Sequence, residues 1–226
     1  MTTIRWEPIV IETFGWIFGV RAFLEEIEIA LPEAESKALN YLNQLAKEQK
    51  WDESDYSLED AEIKSKFKHW LPRLVGYSAV TLIHSVVETQ LTATAMRLRE
   101  LHGYVLKIND LRGDPVERAK MYLTKVAGIQ VGSDSGWQIL QDLAELRNII
   151  AHRRGRQGAD QRDQRFVQQL TERYPDEISL SGRRDNPNTE LEVSLVMCKH
   201  FIDETERFFE RLFVATGFPR NVVLEH

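Results

Sequence analysis

Trp137-Gln138-Ile139-Leu140-Gln141-Asp142-Leu143-Ala144-Glu145-Leu146-Arg147-Asn148-Ile149-Ile150-Ala151-His152-Arg153-Arg154-Gly155 decides how this chain is read. Ile139, Leu143, Leu146 and Ile150 recur at spacings of four, three and four, so a helix turning about 100° per residue gathers them into one buried stripe. Asp134 and Ser135, just upstream, are candidate N-caps, and Gly155 supplies the left-handed residue that commonly closes a helix. Arg147 and Asn148 interrupt the apolar run and His152 follows in the last turn. Ordinary helix surface chemistry does not by itself account for these charges.

Downstream, an Arg-, Gln- and Asp-rich stretch is expected to be mobile, with a helix around Phe166 to Arg173. Ile178 to Leu180 and Leu191 to Val193 flank a Gly-Arg-Arg-Asp-Asn-Pro-Asn turn, the pattern of a small β-hairpin. The last helix is expected over about Ser194 to Thr216, with Val196, Phe201, Phe208, Leu212 and Phe213 as core candidates, stopped by Gly217 with Pro219 beyond.

Upstream, Asp114-Pro115-Val116-Glu117 combines an N-cap, a proline at the first helical position and an acid three residues after the cap, opening a helix to about Ala127. Gly103 to Gly113 reads as a connector. Pro72 to His102, apolar at Leu74, Val75, Leu82, Val86, Leu91 and Leu98 with Ser78 on the same face, is the longest helix expected. Before it comes a short helix, and before that a loop over Trp51 to Asp60. Pro8 to Ala30 is a helix carrying Ile9, Phe14, Ile17, Phe18, Phe23, Leu24 and Ile27, and Pro32 starts a second one through Leu39, Leu42 and Leu45 toward Lys50.

Strands and helices do not alternate, so a parallel α/β sheet is excluded in favour of an all-α helical bundle with the hairpin inserted before its last helix. Residues 1–69 are expected to form an N-terminal helical arm packed on the bundle, residues 70–223 the main helical domain, and 224–226 the start of a tag. At 226 residues and 42% hydrophobic content the chain can bury a real core. One cysteine, Cys198, excludes an internal disulfide framework and a cysteine-rich metal cluster, which points to a reducing, cytoplasmic location. No uninterrupted apolar segment approaches the roughly 20 residues of a membrane helix, so no membrane association is expected. The net charge of −6 argues against a globally polyanion-binding surface, but Arg147, Arg153, Arg154, Arg156, Arg162 and Arg165 concentrate locally.

A guanidinium, an amide and an imidazole within one and a half turns form a phosphate-handling group. Asn148 and His152 share a helix face, whereas Arg147 and His152 are about 140° apart, so the long arginine must reach around. Metal-independent RNA cleavage by 2′-hydroxyl attack needs a proton acceptor and a cation on the phosphate, roles that suit His152 and Arg147 and call for no cofactor.

Arg147, four residues, then His152, with Asn148 directly after the arginine, resembles the motif of the HEPN superfamily, over roughly residues 70 to 217. The resemblance implies a HEPN-like helical bundle that dimerises with its two motifs facing each other. It implies an endoribonuclease of phage defence or of a toxin-antitoxin system, with RNA and an antitoxin or defence-system protein as partners. Arg147 and His152 would then be the catalytic pair and Asn148 the polar neighbour that orients them or the RNA. HEPN toxins paired with a nucleotidyltransferase antitoxin carry a tyrosine two residues after the histidine; here Arg154 stands there, which puts an antitoxin of that kind in doubt. Arg153, Arg154 and Arg156 add positive charge for RNA.

Plainer readings stand beside these. Cations at a helix C-terminus are favoured by the macrodipole, so Arg147, His152 and the following arginines also make sense as a solvated polar end. His84 and Glu88, four apart, form a pair without an evident third metal ligand, and a partly buried structural His84 suits them better. His69, His102 and His200 are isolated. Cys198 and the phenylalanines Phe201, Phe208 and Phe213 read as core. No glycine-rich phosphate loop, nucleophile elbow or zinc motif occurs. The alternative to an enzyme is a non-catalytic helical module that binds nucleotide, RNA or a partner protein.

Overall fold

The computed structural model describes residues 7–133, 136–183 and 186–218. Its architecture is all-α with one two-stranded antiparallel hairpin before the last helix, as the sequence predicts. Asp134, Ser135, Pro219 and residues 224–226 lie outside the described residues.

Helix α1 runs unbroken over Pro8–Gln49, so Pro32 does not start a second helix. The proline deprives only the Glu28 carbonyl of its helical partner, and Glu28 through Ala30 and Pro32 are all exposed, where water can take that bond. At 42 residues α1 also exceeds the helix expected to be longest. Helix α2, Glu53–Ser65, replaces most of the loop expected over Trp51 to Asp60. Asp52 caps it, its Oδ1 accepting the N–H groups of Ser54 and Asp55 at 2.9 Å each. Residues that looked like loop formers are thus a cap and first-turn acids.

A π-helical turn over Lys66–Trp70 leads into α3, Leu71–His102. Its buried face carries Ala79, Val80, Ile83, Val86, Val87, Leu91, Ala95 and Leu98, whereas Leu74 and Leu82 are exposed. Helix α4, Pro115–Lys125, starts as predicted: Asp114 Oδ1 accepts the Glu117 N–H at 2.9 Å, and Pro115 sits in the first turn. Helix α5 spans Trp137–Arg153 and buries Ile139, Leu140, Leu143, Leu146 and Ile149, so the stripe ends on Ile149 rather than Ile150. Helix α6, Gln161–Arg173, starts well before Phe166, in the stretch expected to be mobile, because Asp160 accepts the Arg162 N–H at 2.7 Å. Strands β1, Ile178–Ser181, and β2, Glu190–Val193, pair Ile178 with Val193 and Leu180 with Leu191. Helix α7, Leu195–Thr216, is capped by Ser194 Oγ accepting the Met197 N–H at 3.1 Å, and Gly217 follows with φ +75°. Val196 is exposed rather than core, while Met197, Cys198 and the expected phenylalanines are buried. Among the described residues no helix is long and apolar enough to cross a membrane.

The described residues form two compact units, one drawn from residues 7–20, 80–133, 136–148 and 200–218, the other from residues 21–79, 149–183 and 186–199. The boundary expected near residue 69 runs inside the second. In the first unit Phe14 meets Phe213 edge-on at 5.9 Å, Trp137 lies 5.9 Å from Phe208, and Phe208 and Phe209 meet edge-on. Arg97 clamps Glu7 through Nε and Nη2 at 3.0 and 3.3 Å. In the second unit Leu24, Leu42, Val167, Leu170, Ile178, Leu191, Val193 and Met197 are buried. Gly76 is needed there because a Cβ at that position would collide with the Val193 carbonyl of β2. Arg73, almost buried, pairs with Glu190 and, at 3.6 Å, with Glu192.

Candidate functional site

Helix α5 ends in two consecutive left-handed residues, Arg154 at φ +57° and Gly155 at φ +76°, with the Gly155 N–H bonded to the Ile149 carbonyl at 3.2 Å. Gly155 thus has the conformation expected of it, and Arg154 adopts one that a non-glycine residue rarely does. The chain then runs alongside the hairpin. Leu191 donates its N–H to the Gly155 carbonyl, Gln157 to Thr189 and Gly158 to Pro187, each at 2.9 Å. These bonds fix the arginine-rich segment against β2 and the turn before it.

An open groove of about 480 Å³ results, lined by His152, Arg153, Arg154 and Arg156 together with Pro187 and Asn188. Its cations are not equivalent. Arg153 pairs with Asp163 of α6, and Arg156 Nε lies 3.8 Å from Glu190 Oε1. His152 and Arg154 are exposed and have no hydrogen bond or ion pair among the described residues. The groove therefore offers one imidazole and one guanidinium for a phosphate, flanked by two arginines already partly neutralised.

Arg147 and Asn148 line a different cavity, of about 670 Å³, within the first unit. Arg147 Nη1 donates to Asn148 Oδ1 at 3.2 Å. His84 lines the same cavity, buried, with Nδ1 3.8 Å from Glu88 Oε2, too far for a hydrogen bond. Burial, and then the Arg147 charge, pushes the His84 pKa below its ordinary 6.5, while Glu88 and Asp114 pull weakly the other way. His84 is thus a neutral imidazole near pH 7.

Val116, Trp137 and Leu140 give this cavity an apolar floor. Lys120, also in the lining, holds its Nζ 4.6 Å from the centre of the Trp137 ring. Neither Trp137 nor Lys120 stands out as a site residue in the sequence. The signal was weak: both stand at helical spacing on amphipathic helices, and their meeting is a tertiary fact.

Cys198 is fully buried and its thiol pKa is pushed up to about 12 by burial, which makes it an inert core residue. His102 stacks on Tyr104 at 5.4 Å. Among the described residues no group of three or more His, Cys, Asp or Glu side chains is placed to hold a metal ion.

Fold and site define a helical protein with a cation-lined groove at one helix end and a separate cavity of mixed charge. The chain matches no protein-family model, no curated protein and no solved structure.

Proposed function

We propose that this protein is a HEPN-like, metal-independent endoribonuclease that acts as a homodimer. His152 serves as general acid or base: the RNA 2′-hydroxyl gives up its proton as its oxygen bonds to the adjacent phosphorus, and the departing 5′-oxygen takes up a proton as its bond to phosphorus breaks, one of these transfers running through the imidazole and the other through water. Arg147 binds the scissile phosphate and Asn148 orients it. Arg153, Arg154 and Arg156 hold the flanking backbone. The products are a 2′,3′-cyclic phosphate and a 5′-hydroxyl end. A place in phage defence or in a toxin-antitoxin pair belongs to the same reading, as does a cytoplasmic location.

The observation that carries the reading is the solvent-reachable imidazole of His152 and the guanidinium of Arg154, both without a partner among the described residues, lining one open groove. A general base must reach its proton, and a phosphate ligand must have a donor to spare. The test is cleavage of single-stranded RNA in EDTA by the purified protein, with the ends of the products identified. His152→Ala and Arg147→Ala should each lower the rate by about a hundredfold or more. Undiminished cleavage by either variant overturns the assignment.

A second reading, a non-catalytic binding module, is favoured by one observation. Arg147 and Asn148 line the cavity that holds His84, whereas His152 lines the groove. RNA that binds without being cut, with affinity lost in Arg154→Ala, is the outcome it expects.

A further inference from the structure

Between Ile63 and Ala79 the chain carries no acidic residue, although its net charge is −6. Lys64, Lys66, Lys68, His69 and Arg73 fall in that stretch, with Phe67 and Trp70 among them. Cations interleaved with aromatic rings suit single-stranded nucleic acid, because the charges follow the phosphates while the rings stack on the bases. Not all of these groups are open to a ligand. Lys64 pairs with Asp60 and Lys68 with Glu35. Lys66 and His69, both exposed, have no carboxylate partner among the described residues. Trp70, on the same π-helical turn, is 59% exposed, a high value for a side chain that is usually well buried.

The indole is nonetheless held in place. Arg73, one turn further on, sets its guanidinium 5.6 Å from the centre of the Trp70 ring. That guanidinium is itself pinned by Glu190 and, at 3.6 Å, by Glu192. A ring steadied by a fixed cation and open over more than half of its surface is a preorganised stacking platform, since little side-chain freedom is left to lose on binding.

Trp70 is also tied to the groove of His152 and Arg154, which lies in the same unit. Glu190 takes Arg73 with one carboxylate oxygen, and the other lies 3.8 Å from Nε of Arg156 in the groove wall. Two ion pairs and one ring contact thus connect Trp70 with the groove, well inside the roughly 4–16 nucleotides that a single-strand site covers. Glu190 and Glu192 are balanced by Arg73 and Arg156, so these carboxylates do not repel a phosphodiester chain laid across them. An indole beside lysines also suits a lipid surface; continuation into a phosphate-sized set of free cations favours a strand.

We infer that Trp70 is a base-stacking platform for single-stranded RNA. It takes a nucleobase a few positions along the strand from the phosphate in the groove, with Lys66 and His69 beside the backbone. Every base has a π face, so the platform selects single strands rather than a sequence, and a duplex with its bases already stacked cannot use it. The inference deepens the ribonuclease reading and rests on it for the course of the strand.

Fluorescence anisotropy of the full chain with a labelled 2′-O-methyl RNA of about ten nucleotides tests it, because a strand without the attacking hydroxyl stays whole. The Kd should be about 100 µM or tighter at low salt. Trp70→Ala should weaken binding about tenfold, and Trp70→Phe, which keeps a ring, about threefold or less. A strand of the same length without bases should bind the unmodified protein and Trp70→Ala alike, whereas Arg154→Ala should weaken both strands. If Trp70→Ala does not fold, Trp70→Leu, apolar but without a π face, decides the matter. The inference is overturned if the folded variants without a ring bind the intact strand as well as the unmodified protein does, or if they lose the baseless strand equally. It is also overturned if no strand binds at about 100 µM, including the case in which Trp70 instead governs attachment to phosphatidylserine vesicles. Binding through Trp70 with unmodified RNA left uncut would sink the ribonuclease reading and leave the platform standing. Cleavage that needs His152, with a KM untouched by Trp70→Ala, would do the reverse.

Discussion

The phenolic oxygen of Tyr77 donates a 2.6 Å hydrogen bond to the carbonyl oxygen of Leu191 and occupies the space a Cβ at residue 155 would need. Leu191 in turn donates its N–H to the Gly155 carbonyl, so three residues distant in sequence close one junction between α3, the end of α5 and β2. Gly155 is required there twice over, by its φ of +76° and by the contact with Tyr77. Gly155→Ala should therefore destabilise the protein by about 2–4 kcal/mol, as left-handed strain and overpacking together. Chemical denaturation checks this, and paired with Tyr77→Phe the loss should be less than the sum of the two single losses. Strict additivity would show that Tyr77 is not what Gly155 avoids.

Burial raises the pKa of Tyr77 from 10.0 to about 12 and that of Cys198 from 9.0 to about 12. In both, the folded protein favours the neutral form, so the unfolded chain loses its proton first as the pH rises. The stability they contribute is complete below pH 9 and declines between 9 and 12. Denaturation midpoints measured across that range should fall, and less so in Tyr77→Phe. Native Cys198 should stay unreactive toward an aromatic disulfide reagent near pH 8 until the protein unfolds.

His84 works in the opposite sense at the acid end. Its folded pKa lies below the ordinary 6.5, so the unfolded chain binds the proton more readily, and stability present above 6.5 is lost as the pH falls through it. Ring-proton NMR should show His84 still neutral at pH values where an exposed histidine is charged. Arg147→Ala removes the second cause of the depression, so the His84 titration should move upward. An unmoved titration would mean that burial alone sets it.

Pro32 costs α1 a hydrogen bond at an exposed position and gives no packing in return. Pro32→Ala should stabilise the protein by about 1–3 kcal/mol, the gain reduced by the greater freedom of the unfolded chain. An unchanged or lowered melting temperature would mean that α1 draws on the proline in a way its exposure does not reveal.

Which parts of the fold were legible follows from how local their causes are. Asp114-Pro115, Ser194 and Gly217 act within a turn of themselves, and the elements they bound appear where the sequence placed them. The hairpin was readable because its turn chemistry and alternation agree. Pro32 and the Asp- and Ser-rich stretch after Trp51 misled because each has two local meanings. A proline starts helices or interrupts them, and an aspartate forms loops or caps helices; what decides is the surrounding structure. On α3 the apolar pattern shows the helix but not its buried face: Leu74 and Leu82 are exposed while Ala79 and Ile83 lie in the core.

The same division applies to the site. The arginine cluster is visible in the sequence, but the neutralising partners are not. Glu190 reaches Arg156 only because the hairpin folds back on the segment after α5. Nor does spacing show that Arg147 and His152, five residues apart on one helix, line different cavities.

Helices α1, α3, α5 and α7 each supply residues to both compact units. No single cut in the chain frees either unit, so a library of contiguous fragments should yield no half that folds alone, and a split reporter has no natural seam in which to be placed.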